Sequence, residues 1–397
     1  MTVLEPRLLR RLALHRQGLT QRAPFGSGRN GTLRALVRLG YVQIDTISVV
    51  ARAHDHALWA RVPGYSSNHL ERLVARREAF EYWFHAAAFL PMCNFRFALP
   101  RMRASARLWF ATQDHELVKH VLARIRSEGP LKARDFEQPP GRRRGWWDWK
   151  PAKRALEQLF FQGELMITRR EGFEKVYDLP ERVLPSHVDT REPTVEEHAA
   201  HLVDVTLEAH GFASLKAFTY QRRSSPLREA VKRTLNERIA AGTITKLDVA
   251  DARGRTSAFY ARPNIFDSVV RVPAEVRMLS PFDNALIQRD RNVVVHDFDY
   301  QLECYVEPHR RRFGYFCLPL LYRDRFVGRA DCKAHRSARR FEVVHLFIER
   351  EIPDADKFLE ALHDAIARYA EFTGCESIDV RRVSPRAWTG PVRRTLR

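Results

Sequence analysis

The chain has few cysteines, and none of its five forms a Cys-x-x-Cys pair. An odd and scattered set argues against a disulfide framework, so we expect buried free thiols in a reducing compartment. No stretch approaches the ~18 consecutive apolar residues that a membrane-spanning helix needs. We therefore expect a cytoplasmic protein that makes no contact with a membrane.

Acidic residues are also scarce relative to basic ones, with 48 Asp and Glu against 67 Lys and Arg. The resulting net charge of +19 and pI of about 10.2 predict an anionic partner, either nucleic acid or an acidic membrane surface. The 397 residues suffice for roughly two to four globular domains.

One short acidic segment stands out against this basic background. In the run Gly40-Tyr-Val-Gln-Ile-Asp-Thr46, strand alternation sends Val42 and Ile44 to one face and Gln43 and Asp45 to the other. A carboxylate beside a carboxamide can hold and activate a water molecule. The alternative interpretation is a solvated strand face without chemistry.

An internal repeat organises the first two thirds of the chain. Three segments aligned on Gly40, Gly163 and Gly242 each resemble an amphipathic helix that is closed by a glycine and followed by an alternating strand. Two copies also have a preceding helix and linker, which is the order of a winged helix-turn-helix. This alignment places Gln43 and Asp45 on the first wing strand. Coincidence of common helix–strand patterns is the alternative.

From about Asn264 the apolar runs become short and strand-like. We predict strands at Val293–Val295, Leu302–Val306, Gly314–Leu321, Phe326–Asp331 and Phe341–Phe347. A helix is predicted over Ala355–Phe372, and a basic tail over Arg386–Arg397.

The predicted fold class is α+β: three tandem winged helix-turn-helix units followed by a β-rich, barrel-like antiparallel domain with a C-terminal helix. The corresponding domains are residues 1–112, with the catalytic strand, then 113–188, 189–263 and 264–397.

Tandem winged helices on a strongly basic chain make double-stranded DNA the leading partner. From their charge and position we expect phosphate contacts from Arg142, Arg143, Arg144, Lys150, Lys153, Arg169, Arg170, Arg222 and Arg223. We also expect DNA-binding roles for Arg52, His85 and Arg289, and a channel wall or a rigid interdomain turn formed by Ser280, Pro281, Phe282 and Asp283. We expect a monomer, because one copy suffices to bind an asymmetric lesion in DNA. Binding to DNA also implies association with the nucleoid.

A carboxylate on a DNA-facing wing favours chemistry over simple binding, because phosphates repel it. The alternative is a DNA-binding transcriptional regulator whose β-rich domain senses a ligand. A nuclease is less favoured, since no clustered carboxylate set points to a metal site. We predict neither a metal nor another cofactor.

The motifs together resemble those of the YcaQ-like winged-helix DNA glycosylases, which act in interstrand crosslink repair. The resemblance is carried by segments spread over nearly the whole chain: Val42–Asp45, His56–Arg61, Glu81–His85, Trp147–Pro151, Leu279–Arg289, Leu302–Val306 and Gly314–Leu320. Asp45 matches the branch of the family that has a Gln-x-Asp pair.

This resemblance implies a monofunctional glycosylase that removes N7-alkylated purines, including one end of an interstrand crosslink. It implies that Gln43 and Asp45 are catalytic. Alkylation at N7 makes the purine a cationic leaving group, so Asp45 would stabilise the oxocarbenium-like transition state and orient or deprotonate the attacking water, while Gln43 positions the same water.

Overall fold

The computed structural model describes residues 6–109, 114–136, 150–266 and 271–395, which form a mixed α+β protein. Within these ranges there are three small three-stranded sheets and one five-stranded sheet. None of the helices described is both long and apolar enough to cross a membrane. The α+β class predicted from the sequence is confirmed.

The chain starts with one helix outside the repeat, followed by the first repeat unit (residues 28–91). The elements are α1 (Pro6–Arg16), α2 (Gly28–Leu39), β1 (Val42–Gln43), α3 (Ala53–Trp59), α4 (Ser67–Ala75), β2 (Ala79–Trp83) and β3 (Ala87–Pro91). β2 and β3 form a hairpin, and β1 pairs antiparallel with β3, which gives the order β1-β3-β2. Val42 lies opposite Phe89, and Gln43 lies opposite Ala88.

The second unit (residues 115–178) repeats this topology. A 3-10 helix (Met92–Ala98) and α5 (Leu99–Trp109) lead into it. Its elements are α6 (His115–Glu128), β4 (Leu131–Lys132), a 3-10 helix (Ala133–Phe136), α7 (Lys150–Gln162), β5 (Met166–Glu171) and β6 (Glu174–Asp178), and α8 (Pro180–Val183) follows. The sheet order is β4-β6-β5.

The third unit (residues 195–261) has the same order again. Its elements are α9 (Val195–His210), β7 (Phe212–Ala213), α10 (Leu215–Phe218), α11 (Ser225–Ala240), β8 (Thr245–Ala250) and β9 (Thr256–Ala261). The sheet order is β7-β9-β8. In all three units, therefore, a short strand between helices pairs with the last strand of the hairpin.

This topology corrects the alignment of the repeat. Gly40 ends α2 and precedes a short strand, as Gly129 does after α6 and Gly211 after α9. Gly163 and Gly242 instead precede the hairpins. The prediction that Gln43 and Asp45 lie on a wing strand is wrong: Gln43 lies on the short strand of the first unit, and Asp45 follows that strand.

The C-terminal region is an open sheet. The elements are a 3-10 helix (Pro263–Phe266), β10 (Val276–Met278), α12 (Asn284–Ile287), α13 (Arg289–His296), β11 (Cys317–Tyr322), β12 (Arg325–His335), β13 (Arg340–Ile348), α14 (Ala355–Phe372), β14 (Ser377–Ser384) and α15 (Thr389–Thr395). The sheet order is β10-β11-β12-β13-β14, and β14 runs parallel to β13.

Two features of this region differ from the prediction. The sheet has two free ends in the part of the chain described and one parallel pair, so the expected antiparallel, barrel-like closure is not formed. Val293–Val295 lies in α13, and Glu303–Tyr305 is a 3-10 turn, so neither predicted strand exists. Helix α14 has the predicted bounds, and its apolar side chains, including Phe358 and Tyr369, are buried in the C-terminal core.

Candidate active site

The candidate site is built around β1 and the residues that follow it. Val42 and Ile44 are buried in the core of the first unit, as the alternation predicts. The Ile44 amide donates to the Ala87 carbonyl oxygen at 2.8 Å, which extends the pairing one residue beyond β1. Gln43 is buried with 8 % exposure, whereas Asp45 is half-buried at the edge of the sheet.

Asp45 is held by its own backbone. The Ile47 amide donates to its Oδ1 at 2.7 Å, a local turn that fixes the carboxylate. Burial raises the pKa of Asp45 above its ordinary value, and the Ile47 amide opposes that shift. A carboxylate with a raised pKa is a stronger base than an ordinary one, which suits proton abstraction from water.

Gln43 is oriented by a histidine from the turn between β2 and β3. His85 Nε2 lies 3.1 Å from Gln43 Oε1. Burial, together with the charge of Arg222, lowers the pKa of His85 to about 4, so the ring is neutral at pH 7. Because an amide oxygen only accepts, Nε2 carries the proton and donates. The Gln43 amide nitrogen, which donates no hydrogen bond among the residues described, remains available to a water or substrate.

Aromatic rings enclose His85. Tyr41 stacks on Phe84 with a centroid distance of 4.2 Å and meets His85 edge-on at 5.1 Å. Tyr220 of the third unit also meets His85 edge-on, at 5.4 Å. These contacts fix the imidazole plane, and so the direction of its hydrogen bond to Gln43.

The C-terminal region contributes an exposed aromatic residue near Asp45. Tyr305 is 75 % exposed. Burial raises the pKa of its hydroxyl, and the negative charge of Asp45 adds to the shift, which places the two groups within electrostatic reach. Its segment is fixed by Glu303, whose carboxylate accepts hydrogen bonds from the amides of residues 312, 313 and 314 at 2.7–3.0 Å. The Tyr305 ring therefore faces solvent, from a segment whose backbone is held by Glu303.

The Ser280–Asp283 motif has a structural role. Asp283 and Arg61 are fully buried and form a two-pronged ion pair at 2.7 and 2.8 Å. Ser280 has 1 % exposure, Pro281 is buried, and Phe282 packs partly buried on the C-terminal core. Ser280, Pro281 and Asp283 are therefore buried in this structure, as a rigid interdomain turn would be, and the DNA-binding role of the motif stays a prediction.

The residue after this motif supports the candidate site directly. Asn284 Nδ2 donates to the Tyr41 carbonyl oxygen at 2.9 Å. Tyr41 directly precedes β1, so the motif at the start of α12 braces the strand that carries Gln43. The sequence gives no sign of this role for Asn284, although Asn284 lies within the segment Leu279–Arg289 that carries the family resemblance.

Two of the predicted DNA-binding arginines, Arg52 and Arg170, both contact the aromatic ring of Phe173. Arg52 lies 3.9 Å from the centroid of Phe173, and Arg170 lies 4.4 Å from it. Arg170 also makes two hydrogen bonds of 2.7 Å to Glu81, which is 5 % exposed. These residues line a cavity of about 820 Å³ between the first unit, the second hairpin and α14.

The remaining predicted contacts are dispersed. Arg169 is exposed and pairs with Glu171 at 2.7 Å, Arg289 is exposed at the start of α13, and Lys153 is exposed on α7. Lys150 is the first residue of α7. Arg142, Arg143 and Arg144 lie outside the residues described.

The histidines near the site belong to the core. His56 Nε2 lies 2.8 Å from the Met278 carbonyl oxygen, and its Nδ1 lies 2.9 Å from the Tyr369 hydroxyl. Burial lowers the pKa of His56 to about 4. No group of three or more His, Cys, Asp or Glu side chains arranged to hold a metal occurs in the described ranges.

Comparison with known proteins gives a family match and a similar solved structure. The sequence model of the protein family described as DNA glycosylase AlkZ-like matches residues 36–372. The solved structure of the DNA glycosylase AlkZ from Streptomyces sahachiroi is similar to this chain, with a TM-score of 0.63 and 16 % sequence identity over 96 % of this chain and 100 % of that one. The structural likeness shows a shared fold, and the family match extends from α2 to the end of α14.

Proposed function

The chain belongs to the AlkZ-like DNA glycosylase family, and on that premise we propose that this DNA glycosylase hydrolyses the N-glycosidic bond of N7-alkylated purines in duplex DNA. Gln43 and Asp45 are the proposed catalytic residues. The observation that carries the proposal is the hydrogen bond from His85 to Gln43, because it occupies the Gln43 amide oxygen and leaves the amide nitrogen available to donate to a water. Since the family consists of enzymes, the regulator alternative is set aside.

The proposed reaction needs no strong acid. Alkylation at N7 gives the purine a positive charge, so it leaves as a neutral base when the bond to C1′ breaks and positive charge develops on the sugar. Asp45 stabilises that charge and takes a proton from the attacking water, whose oxygen forms the new bond to C1′. The Gln43 amide nitrogen donates to the water oxygen and holds it in line.

We propose that the enzyme is monofunctional, releasing the base without cutting the strand. A lyase step requires an amine that attacks C1′ to form a Schiff base. The first unit, which supplies Gln43, Asp45 and His85, contains no lysine, because the first lysine of the chain is Lys119.

The position of Asp45 supports action on crosslinked purines. Asp45 is only half-buried and follows the edge strand β1, so its carboxylate is accessible from the surface. A base that is covalently tied to the opposite strand cannot be turned freely into a closed pocket. An acid at an open surface can reach such a lesion in place.

Three units of helix, strand, helix and hairpin support the assignment of tandem winged helix-turn-helix domains, divided near residues 112, 188 and 263. We propose that they grip the duplex as a monomer, with the net charge of +19 neutralising phosphates.

The test is base release from a duplex with a single N7-methylguanine, in buffer with EDTA. We expect free N7-methylguanine and an abasic strand that breaks only after alkali treatment. A second duplex, with a purine–purine N7 crosslink, should be converted to separable strands. Release of no base from either duplex would refute the proposal, and strand cleavage without alkali would refute its monofunctional part.

A further inference from the structure

A basic groove lies beside the catalytic pair, in the turn between α10 and α11. Its volume is about 780 Å³. The charged side chains that line it are Lys216, Arg222, Arg223, Arg228, Glu229 and Lys232. Five are basic and one is acidic, so an anion is the ligand whose charge complements the groove.

Only part of that positive charge is neutralised by the protein. Lys216 pairs with Asp290 at 2.6 Å, and Lys232 pairs with Glu229 at 2.8 Å. Over the residues described, no carboxylate lies within ion-pair distance of Arg222, Arg223 or Arg228. Arg228 donates one hydrogen bond of 3.0 Å to the Arg222 carbonyl oxygen, which leaves its charge uncompensated.

Arg222 is the distinctive member of this set, because it is half-buried. Two arginines elsewhere in the structure have carboxylate partners: Arg61 binds Asp283, and Arg170 binds Glu81. The Arg222 guanidinium instead lies 4.8 Å from the centroid of Phe84 and has no hydrogen-bond acceptor among the residues described. Burial lowers its pKa to about 10, and the charge of Arg101 adds to this shift, so it stays charged at pH 7.

A half-buried cation costs folding free energy when no carboxylate offsets its desolvation. The turn that presents it is also strained, because Gln221 adopts a left-handed φ of 54° without being glycine. Features that cost stability and gather at one place are typical of binding sites.

The groove adjoins the catalytic pair through direct contacts. Tyr220, which lines it, packs edge-on against His85 at 5.4 Å, and Phe84 under Arg222 precedes His85 in the chain. His85 in turn binds Gln43. The groove is therefore connected to Gln43 through the contacts of Tyr220 with His85 and of His85 with Gln43.

We propose that this groove binds the DNA backbone of the lesion-bearing strand, with Arg222 holding the phosphodiester next to the reacting deoxyribose and Arg223 and Arg228 holding its neighbours. A guanidinium is suited to the task, because it donates two parallel hydrogen bonds to one phosphate. The inference rests on the proposed function, and it assigns the register in which the strand meets Gln43 and Asp45.

The test compares Arg222→Gln and Arg223→Gln with a matched control, Arg233→Gln. Arg233 lies on α11 as well, but it pairs with Glu196 at 3.0 Å. Binding is measured on an undamaged duplex at several salt concentrations. For each groove variant we expect weaker binding, and a slope of log K against log salt that is lower by about one. We expect the control to bind as the wild type does.

The position of the phosphate is tested with single methylphosphonate substitutions, which remove one backbone charge at a time around N7-methylguanine. At one position next to the lesion, we expect the substitution to slow wild-type base release as much as Arg222→Gln does, and to add nothing to the variant. Because an unpaired cation is removed, the Tm of Arg222→Gln should be unchanged or higher.

The inference is overturned if the salt slope of Arg222→Gln equals that of wild type. It is also overturned if methylphosphonate substitution at every backbone position still slows base release by the variant. A lower Tm with unchanged salt slope would show a merely structural role. If wild type releases no base at all, the proposed function fails, while the salt slopes on undamaged duplex still decide whether the groove binds DNA.

Discussion

His85 donates a hydrogen bond from Nε2 to Gln43 Oε1 across 3.1 Å, and the two residues are 42 positions apart in the sequence. The contact joins the turn of the first hairpin to the short strand β1. It makes the direction of the Gln43 amide a property of the fold, since without it the carboxamide is free to rotate and present its oxygen to the water.

Replacement of His85 should therefore slow base release without abolishing it. For His85→Ala we expect a fall in kcat of about fivefold, since one positioning hydrogen bond is worth roughly 1 kcal/mol. His85→Gln keeps a donor and should recover part of that loss. Single-turnover rates on an N7-methylguanine duplex measure both effects. Equal rates for His85→Ala and wild type would contradict the assigned role.

Asp45 should impose an acidic limit on activity. Its folded-state pKa is raised by burial, so base release should fall as the pH drops through a value above that of an ordinary carboxylate. A rate that is constant down to the ordinary carboxylate range, measured on a lesion stable over that interval, would exclude Asp45 as the base.

The same shift predicts the effect of Asp45→Asn on stability. A carboxyl group whose pKa is raised by folding holds its proton more tightly in the folded state, so its ionised form destabilises the protein at neutral pH. Asp45→Asn should therefore have a higher Tm than wild type at pH 7.5. The difference should shrink as the pH falls through the raised pKa. Calorimetry at several pH values measures this, and a lower Tm at pH 7.5 would contradict it.

The buried Arg61–Asp283 pair should dominate local stability. Asp283→Ala leaves a fully buried arginine without a partner, and we expect a loss of about 3–5 kcal/mol in the free energy of unfolding. The exposed pair Arg233–Glu196 is a control, and Glu196→Ala should cost under about 1 kcal/mol. Urea unfolding measures both. Similar losses for the two variants would contradict the structural role of Asp283.

Asn284 should affect catalysis through the position of β1. Asn284→Ala removes the hydrogen bond to the Tyr41 carbonyl oxygen, so kcat should fall by about tenfold with little change in KM. Asn292→Ala is a matched control, because buried Asn292 donates a similar bond of 3.1 Å to the Leu286 carbonyl oxygen, within the α12–α13 segment. It should lose stability and keep kcat. Equal kcat losses would indicate a general effect of destabilisation.

The structural features that can be predicted from this sequence are those whose signal lies within a short stretch of neighbouring residues. The bounds of α14 were predicted from its apolar periodicity and from the Pro353-Asp354 start signal, both of which are local. The repeat was recognised, but its register was misassigned. Gly40, Gly163 and Gly242 all end helices in the left-handed conformation, with φ of 77°, 79° and 68°, so a closing glycine does not reveal which helix of the unit it ends.

The candidate site shows the same limit. The alternation at β1 correctly predicted that Val42 and Ile44 face the core. The partners of the site come from distant segments: Asn284 is 243 residues from Tyr41, and Asp283 is 222 residues from Arg61. A single sequence has no signal for such long-range pairs. The ion pair between Asp283 and Arg61 could therefore not be predicted, and Asp283 was expected to face DNA.

The central claim is that Asp45 and Gln43 perform chemistry and do not merely bind. Its most direct test is the single-turnover rate of N7-methylguanine release by Asp45→Asn and Gln43→Ala, measured beside duplex affinity. Asp356→Asn, at an exposed position on α14, is the matched control. We predict that both site variants lose base release by at least about a hundredfold. Asp45→Asn should bind duplex as tightly as wild type or slightly more tightly, because a charge that repels phosphates is removed. Full excision by both variants would contradict the account.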